Sequence, residues 1–200
     1  MSRFVQGNEF AAGTSGLSPE GYFTRVVELA DDSVKRYDPA GLKWMWGEAL
    51  FTYALHLLDE ALGEDRYLPY IRAYLDSHLS TGYRVDQSDT MAPGLTAFAA
   101  YRRTGDPRYR SVVERVVNYL LDAERVLDHM PNHLGSSLEG RLYPKSVWVD
   151  SVMMYGVFSG WYGRSAEDDA IYDFARRQPA LFARYLQDPR EKLFYHCYWT

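Results

Sequence analysis

Two aspartates at the starts of predicted helices are the residues whose type and position could do chemistry. Asp150 lies in the segment WVDSVMMY, between Trp148 and Tyr155 and at the head of an apolar helical face. Asp89 has the corresponding place in the segment SDTMAPG. An aspartate at a helix start often caps backbone N–H groups, which is the structural alternative for both residues. Desolvation among aromatic rings favours a neutral carboxyl group, however, so Asp150 is a candidate general acid.

The two aspartates gain significance as a pair, because the repeat pattern described below places both helix starts on one side of the fold. A pair of carboxylates on one rim is the typical catalytic arrangement of glycoside hydrolases. Trp44 and Trp46 stand beside Gly47 at a third helix start. Tryptophans in this position fit either core packing or a platform on which a sugar ring stacks.

The histidines give a weaker signal. His129 and His133 are four residues apart in one long connection, but no acidic partner has the spacing of a zinc-protease motif. We therefore expect both histidines to bind substrate and expect no metal site. His56 and His78 fall inside predicted helices, which favours a structural role. The sequence has no Gly-rich phosphate loop and no G-x-S-x-G elbow, so it gives no sign of phosphate binding or serine-hydrolase chemistry.

Composition excludes several classes of protein. A chain of 200 residues with 46% hydrophobic content can bury one sizeable core. A net charge of −5, without a dense basic run, argues against a nucleic-acid partner. The single cysteine, Cys197, excludes an intramolecular disulfide and a cysteine-rich metal site. We see neither a signal peptide nor an apolar stretch long enough for a membrane span, so we expect a cytoplasmic protein without a membrane partner.

Helical periodicity and internal repeats indicate an all-α fold. Apolar residues recur at three- and four-residue steps, and strand-like alternation is hard to find. The turn GEDRY at 63–67 recurs 42 residues later as GDPRY at 105–109, and a weaker copy stands at 165–169. We predict three helical hairpins, in each of which glycine ends the first helix. The predicted helices are 47–62 with 67–79, 93–104 with about 109–122, and 150–163 with 170–186.

Short turns join the helices at one end of this arrangement, and long connections join them at the other. The long connections cover 37–46, 80–92 and 123–149, and they hold most of the candidate residues. A simple solenoid has repeats of similar length, but this asymmetry between the two sets of loops argues against one. We expect residues 1–18 to form a flexible leader and residues 19–200 to form a single helical-hairpin domain.

Four motifs together resemble the unsaturated uronyl hydrolases of glycoside hydrolase families 88 and 105. They are WMWGEAL at 44–50, SDTMAPG at 88–94, TGDPRY at 104–109 and YPKSVWVDSVMM at 143–154. The closing LFYH at 193–196 is similar to a later family segment. The motifs follow the family order along nearly the whole chain, and the Trp-x-Asp element at 148–150 is the most specific of them.

The resemblance implies an (α/α)6 toroid, of which about three of six hairpins are present, with its site at the long-loop end. It implies an oligosaccharide substrate that carries a terminal 4,5-unsaturated uronic acid. In the family mechanism an aspartate protonates the C4=C5 bond, water adds at C5, and the resulting hemiketal opens. By motif, Asp150 would be the general acid/base, Asp89 the second carboxylate, and Trp46 and Trp148 would line the sugar pocket. No metal or organic cofactor is implied.

The sequence departs from the family pattern in two ways. The usual Gly-aromatic-His-Lys stretch is missing from 137–146, so His129 or His133 would replace its histidine. Arg141 or Lys145 would then meet the substrate carboxylate. Three hairpins are also only half of a toroid and would expose apolar flanks. We therefore expect either the N-terminal part of a longer chain or a homo-oligomer that covers these edges.

Two other classes of function fit the same fold. A sugar epimerase or isomerase on this toroid would rely on histidine pairs on the inner helices, whereas this sequence offers aspartates at the helix starts. A non-catalytic binding or assembly module is the third possibility, because half of the toroid is absent from the chain.

Overall fold

The computed structural model describes residues 18–200 and divides the chain into two compact units, Met1–Arg36 and Tyr37–Thr200. In the first unit, helix α1 (Pro19–Arg36) begins where the Ser18 hydroxyl accepts a hydrogen bond from the backbone of Gly21. Lys35 and Arg36 lie in its last turn, where basic residues complement the helix dipole. Except for Ser18, the expected flexible leader lies outside the described residues.

The second unit is built mainly of helices. They are α2 (Trp46–Leu62), α3 (Leu68–Thr81), α4 (Ser88–Met91), α5 (Pro93–Thr104), α6 (Pro107–Asp122), α7 (Leu138–Leu142), α8 (Phe158–Ser165) and α9 (Asp169–Leu186), with a 3-10 turn at Pro39–Gly41 and a π-helix at Val152–Val157. This confirms the predicted all-α class. Within 18–200, no helix combines the length and apolar character that crossing a bilayer requires.

Two short antiparallel strand pairs interrupt the helices. Strand β1 (Arg125–Val126) pairs with β2 (Met130–Pro131), and β3 (Ser146–Trp148) pairs with β4 (Cys197–Trp199). The sequence does not predict these strands, because strands of two or three residues are too short to show alternation. The second pair is important for the site, since it joins two distant parts of the chain.

The predicted hairpins are present and pack side by side. Helices α2 and α3, α5 and α6, and α8 and α9 form the three pairs, while α2 also packs on α5 and α5 on α8. The first helices of the pairs therefore form one continuous layer. Thr52 of α2 and Thr96 of α5 join by a buried 2.8 Å hydrogen bond within this layer. Buried polar side chains require such partners.

The two strong copies of the repeated turn behave as predicted. Gly63 and Gly105 end α2 and α5 in the left-handed conformation, with φ values of 72° and 70°. Asp106 then caps α6 with its side chain. Tyr67 and Tyr109, which close the two turns, are 2% and 0% exposed, so the repeated tyrosine is a core residue.

The third hairpin departs from this pattern. Gly163 lies inside α8, and the residue with positive φ beyond the helix is Glu167, at 54°. The prediction that a glycine ends this helix was therefore wrong. A Cβ atom at Gly163 would lie 2.6 Å from the backbone nitrogen of Tyr172 and 2.9 Å from its Cα. Glycine is thus required here by the close approach of α8 to α9.

We predict that Gly163→Ala destabilises the protein by about 1–3 kcal/mol, because the new methyl group would overlap backbone atoms that cannot rotate away. Gly160→Ala in the same helix is the matched control, since its Cβ would lie 3.8 Å from the Cβ of Ala175, an ordinary contact. Denaturant-induced unfolding followed by circular dichroism measures both variants. Equal unfolding midpoints for the two variants would contradict the packing role of Gly163.

Candidate active site

The first turn of α2, the junction of α4 with α5, and the π-helix meet through three buried residues. Ala49, Ala92 and Met154 form one cluster in which each side chain is at most 2% exposed. Each lies three or four residues after one of the predicted site residues Trp46, Asp89 and Asp150. Residues at this spacing share one face of a helix. The packing of the small residues therefore brings the three chain segments with the site residues to one rim.

The His133 side chain lies between the two carboxylates. Its Nε2 is 3.7 Å from Asp89 Oδ1, and its Nδ1 is 3.7 Å from Asp150 Oδ1. Both distances are longer than a hydrogen bond. Nδ1 is instead hydrogen-bonded to the Ser151 hydroxyl at 2.8 Å, and the imidazole is only 2% exposed. The structure thus brings Asp89, Asp150 and His133 into one cluster.

The main chain of His133 also holds the segments that carry the carboxylates. Its N–H donates to the Ser146 carbonyl at 2.8 Å, at the start of β3, which leads into Asp150. Its carbonyl accepts from the Ser88 N–H at 2.9 Å, at the start of α4, which contains Asp89. The relative position of the two carboxylates therefore depends on this one residue.

Trp148 forms the wall of the cluster. Its ring stacks on His133 with a centroid distance of 4.5 Å and an interplanar angle of 5°, and its indole N–H donates to the Ser146 hydroxyl. The pairing of β3 with β4 places His196 at the edge of this ring, with the centroids 5.0 Å apart. His196 and Ser151 are site residues that the sequence analysis did not assign. The LFYH resemblance contained the signal for His196.

Neither carboxylate shows the features of a simple helix cap. The N-cap of α4 is Gln87, which forms a reciprocal capping box with Thr90, so Asp89 is not needed for that role. Asp150 Oδ1 is buried without a hydrogen-bond partner. A buried carboxylate oxygen without a hydrogen-bond partner is unfavourable, and such groups are typical of functional sites, where the partner is a ligand or a proton.

Burial controls the ionisation of the cluster. Burial, and next the charge of Asp150, raise the pKa of the Asp89 carboxyl to about 6. Burial also raises the pKa of Asp150, against the opposing effects of His196 and of backbone N–H groups. Burial, with a smaller contribution from His196, lowers the pKa of His133 to about 4, so this imidazole is neutral at pH 7 and forms no ion pair.

The other predicted binding residues are placed differently. Trp46 is 48% exposed at the start of α2 and is open to a ligand. Trp44 is 7% exposed and belongs to the core, where its rings pack against other rings and its indole N–H donates to the Thr90 carbonyl. Arg141 is exposed on α7, and no contact within 18–200 links it to the cluster. His129 lines a separate groove beside α9.

The cluster also contains atoms that a cation could bridge. One donor atom each from Asp89, His133 and Asp150 lies within 4.8 Å of the others. Two carboxylates and a neutral imidazole are acceptable ligands for several divalent ions. Lys145, the other cation proposed to meet a substrate carboxylate, forms an ion pair with Glu124 instead.

Comparison with known proteins gives a match over most of the chain. The family model for Glycosyl Hydrolase Family 88 matches residues 24–199. Unsaturated rhamnogalacturonyl hydrolase YesR of Bacillus subtilis strain 168 is 26% identical over 175 residues, which are 87% of this chain and 51% of YesR. The chain thus spans about half the length of this curated relative.

Solved structures show the same fold. A possible member of family GH105 from Klebsiella pneumoniae subsp. pneumoniae MGH 78578 superposes with a TM-score of 0.77 at 15% identity, over 100% of this chain and 57% of that one. A family 105 glycoside hydrolase from C. acetobutylicum ATCC 824 gives 0.72 at 20% identity, over 86% and 48%. At these identities the likeness concerns the fold alone, and it confirms the predicted helical toroid type.

We predict that Asp150→Asn lowers the pKa of Asp89, because an amide removes the negative charge that helps to raise it. Burial remains, so the pKa should stay above the ordinary value for an aspartate. Carboxyl carbon NMR over a pH series measures the titration directly. Asp122→Asn, at the exposed end of α6, is the control and should leave Asp89 unchanged. An unaltered Asp89 titration in Asp150→Asn would show that the two groups do not interact.

Proposed function

The chain belongs to glycosyl hydrolase family 88, and from this membership and the Asp89–His133–Asp150 cluster we propose that it carries the acid–base site of an unsaturated uronyl hydrolase. The proposed substrate is an oligosaccharide with a terminal 4,5-unsaturated uronic acid. The chain spans about half the length of its curated relative, so we propose, and do not infer from the relative, that these 200 residues catalyse the reaction. A cytoplasmic location and a homo-oligomer remain predictions.

The observation that carries the proposal is a close pair of carboxyl groups that share one proton. Asp89 and Asp150 have oxygens within 4.8 Å of each other, and Asp89 keeps its proton up to about pH 6. Two carboxyl groups this close can supply and recover one proton at a single double bond, as hydration requires.

In the proposed reaction, the proton that Asp89 and Asp150 share is delivered by Asp150 to C4 of the unsaturated ring. The electron pair of the C4=C5 bond forms the new C–H bond and leaves positive character at C5. Water adds its oxygen to C5 and returns a proton to the carboxylate pair, so the acid is restored. The resulting hemiketal opens as the bond from C5 to the ring oxygen breaks, a ketone forms at C5, and the C5 hydroxyl proton passes to the ring oxygen. The hemiacetal left at C1 then collapses to an aldehyde, and its hydroxyl proton goes to the leaving oxygen as the bond to the neighbouring sugar breaks.

The other residues of the site would position the ring. Trp148 and Trp46 offer aromatic surfaces against which a sugar ring stacks. His133 is neutral and buried beneath Trp148, so it would hold the carboxylates and would not contact the sugar. This assignment replaces the expectation that His133 binds substrate. The proposed chemistry uses no metal, since both proton transfers are assigned to carboxyl groups.

Asp150→Asn should reduce turnover by about 10²–10⁴-fold, because an amide cannot donate or accept the transferred proton. The assay is the loss of ultraviolet absorbance of a 4,5-unsaturated uronyl disaccharide, with the protein as expressed from its natural gene. Asp122→Asn is the exposed control and should retain full activity. Turnover that survives in Asp150→Asn would refute the assignment of this residue.

The rate should also fall as pH rises through about 6, because the carboxyl pair then loses its last proton. In Asp89→Asn the remaining proton belongs to Asp150, which no longer faces a second carboxylate. The descending limb of the kcat/KM profile should therefore move to lower pH. A limb that stays in place would mean that Asp89 takes no part in holding the proton.

A further inference from the structure

A concave site lies beside α9 and shares no lining residue with the acid–base cluster. It is a groove of about 250 Å³ between α9 and the loop that joins β1 to β2. A pocket of this size is smaller than those that bind drug-sized ligands and suits one sugar ring. The residues that give it chemical character are Asp128, His129, Asp173, Phe174, Arg177 and Gln178.

The loop over this groove is held in an unfavourable conformation. Leu127, Asp128 and His129 are consecutive residues with φ values of 27°, 44° and 74°. Residues with a Cβ atom rarely adopt this region, and a run of three requires support from the surrounding structure. The Asp128 carboxylate provides it by accepting hydrogen bonds from Arg184 at 2.7 Å and from the Tyr185 hydroxyl at 2.6 Å, both on α9. The wall of the groove is therefore held in place by hydrogen bonds between this loop and α9.

The charges in the groove leave one cation without a partner. Asp128 is neutralised by Arg184, and Asp173 is neutralised by Arg176 at 2.8 Å. Arg177 is exposed and forms no ion pair with any residue in the described part of the chain. Since Asp128 and Asp173 already have arginine partners, Arg177 of the groove lining is available to pair with an anionic ligand.

An aromatic ring and a buried amide complete the site. Phe174 is half-buried and supports the groove from α9. Gln178 is only 2% exposed, and its amide nitrogen donates to the Phe174 carbonyl, while its Oε1 has no hydrogen-bond partner. A buried amide oxygen without a donor is costly, and a hydroxyl group is a suitable donor. A cation, an aromatic ring and an unsatisfied amide together match an acidic sugar.

We propose that this groove is an accessory binding site for a uronic acid residue of an acidic oligosaccharide. Arg177 would pair with the sugar carboxylate, Phe174 would contact the apolar face of the ring, and Gln178 would accept a hydrogen bond from a ring hydroxyl. His129 lines this groove and lies outside the acid–base cluster, so its predicted role in substrate binding would be fulfilled here. The proposal rests on the proposed function for the class of ligand, but binding in the groove requires no turnover.

The test is an NMR titration of the uniformly ¹⁵N-labelled protein with D-galacturonate and, as the matched neutral sugar, D-galactose. We expect saturable shifts of the α9 backbone amides around Arg177 and of the His129 amide with galacturonate, and at least fivefold weaker binding of galactose. Arg177→Gln should weaken galacturonate binding at least fivefold, which corresponds to about 1 kcal/mol. Arg110→Gln, at an exposed arginine of α6, should leave it unchanged.

Three results would overturn the proposal: shifts confined to the Trp148 indole and the residues around His133, equal binding of the two sugars, or unchanged binding in Arg177→Gln. Spectra of the two arginine variants without sugar establish that both are folded. Galacturonate is saturated and undergoes no hydration, so failure of the uronyl hydrolase assay and failure of this titration are separate results.

Discussion

The buried imidazole of His133 is the contact on which the rest of the site depends. Its ring separates the carboxylates of Asp89 and Asp150, and its main chain binds the segments that carry them. An imidazole so deeply buried remains neutral, because burial penalises the charged form. A neutral His133 cannot compensate the carboxylates, so their own burial raises their pKa values. One buried side chain therefore sets the spacing of the pair and adds no positive charge that would offset the effect of burial.

Close packing of the inner helices makes this arrangement possible. Ala49 and Ala92 are fully buried and small enough for the first turn of α2 and the junction of α4 with α5 to approach the π-helix. The short turns at the opposite end, closed by Gly63 and Gly105, carry little but packing. The long connections lie outside the packed hairpins, so they can hold polar side chains. The hairpin core determines the positions at which these connections begin and end. This division explains why the chemistry gathers at one end of the toroid.

The sequence predicted the helices well because their apolar residues recur with helical spacing, and it predicted the carboxylate pair because both aspartates occupy equivalent places in the repeat. It failed where one residue type serves two purposes. Gly163 looks like a helix end but provides close packing. Trp44 and Trp46 are two residues apart, yet only Trp46 is exposed. Trp44 precedes α2 and packs in the core, whereas Trp46 is the first residue of α2 and lies at the surface.

Spacing along the chain was also misleading outside the helices. His129 and His133 are four residues apart, which would place them together on a helix. The chain between them instead forms β2, and three residues before β2 have positive φ, so His129 faces the α9 groove while His133 enters the cluster. His196 reaches the cluster only because β4 pairs with β3. A contact between three-residue strands about 50 residues apart leaves no periodic signal in the sequence.

The ionisation of the site carries a cost in stability that the rest of the fold must offset. The pKa of Asp89 is higher in the folded protein than in an unfolded chain, so the folded state binds this proton more tightly. Stability from this group is complete below the unfolded pKa, near 4, and is lost as pH rises through about 6. The raised pKa of Asp89 corresponds to roughly 3 kcal/mol of stability lost at neutral pH. That is a large share of the 5–15 kcal/mol typical of a domain. The buried tyrosines and valines of the hairpins therefore support the site, because their packing offsets the cost of partly burying two carboxyl groups beside a neutral imidazole.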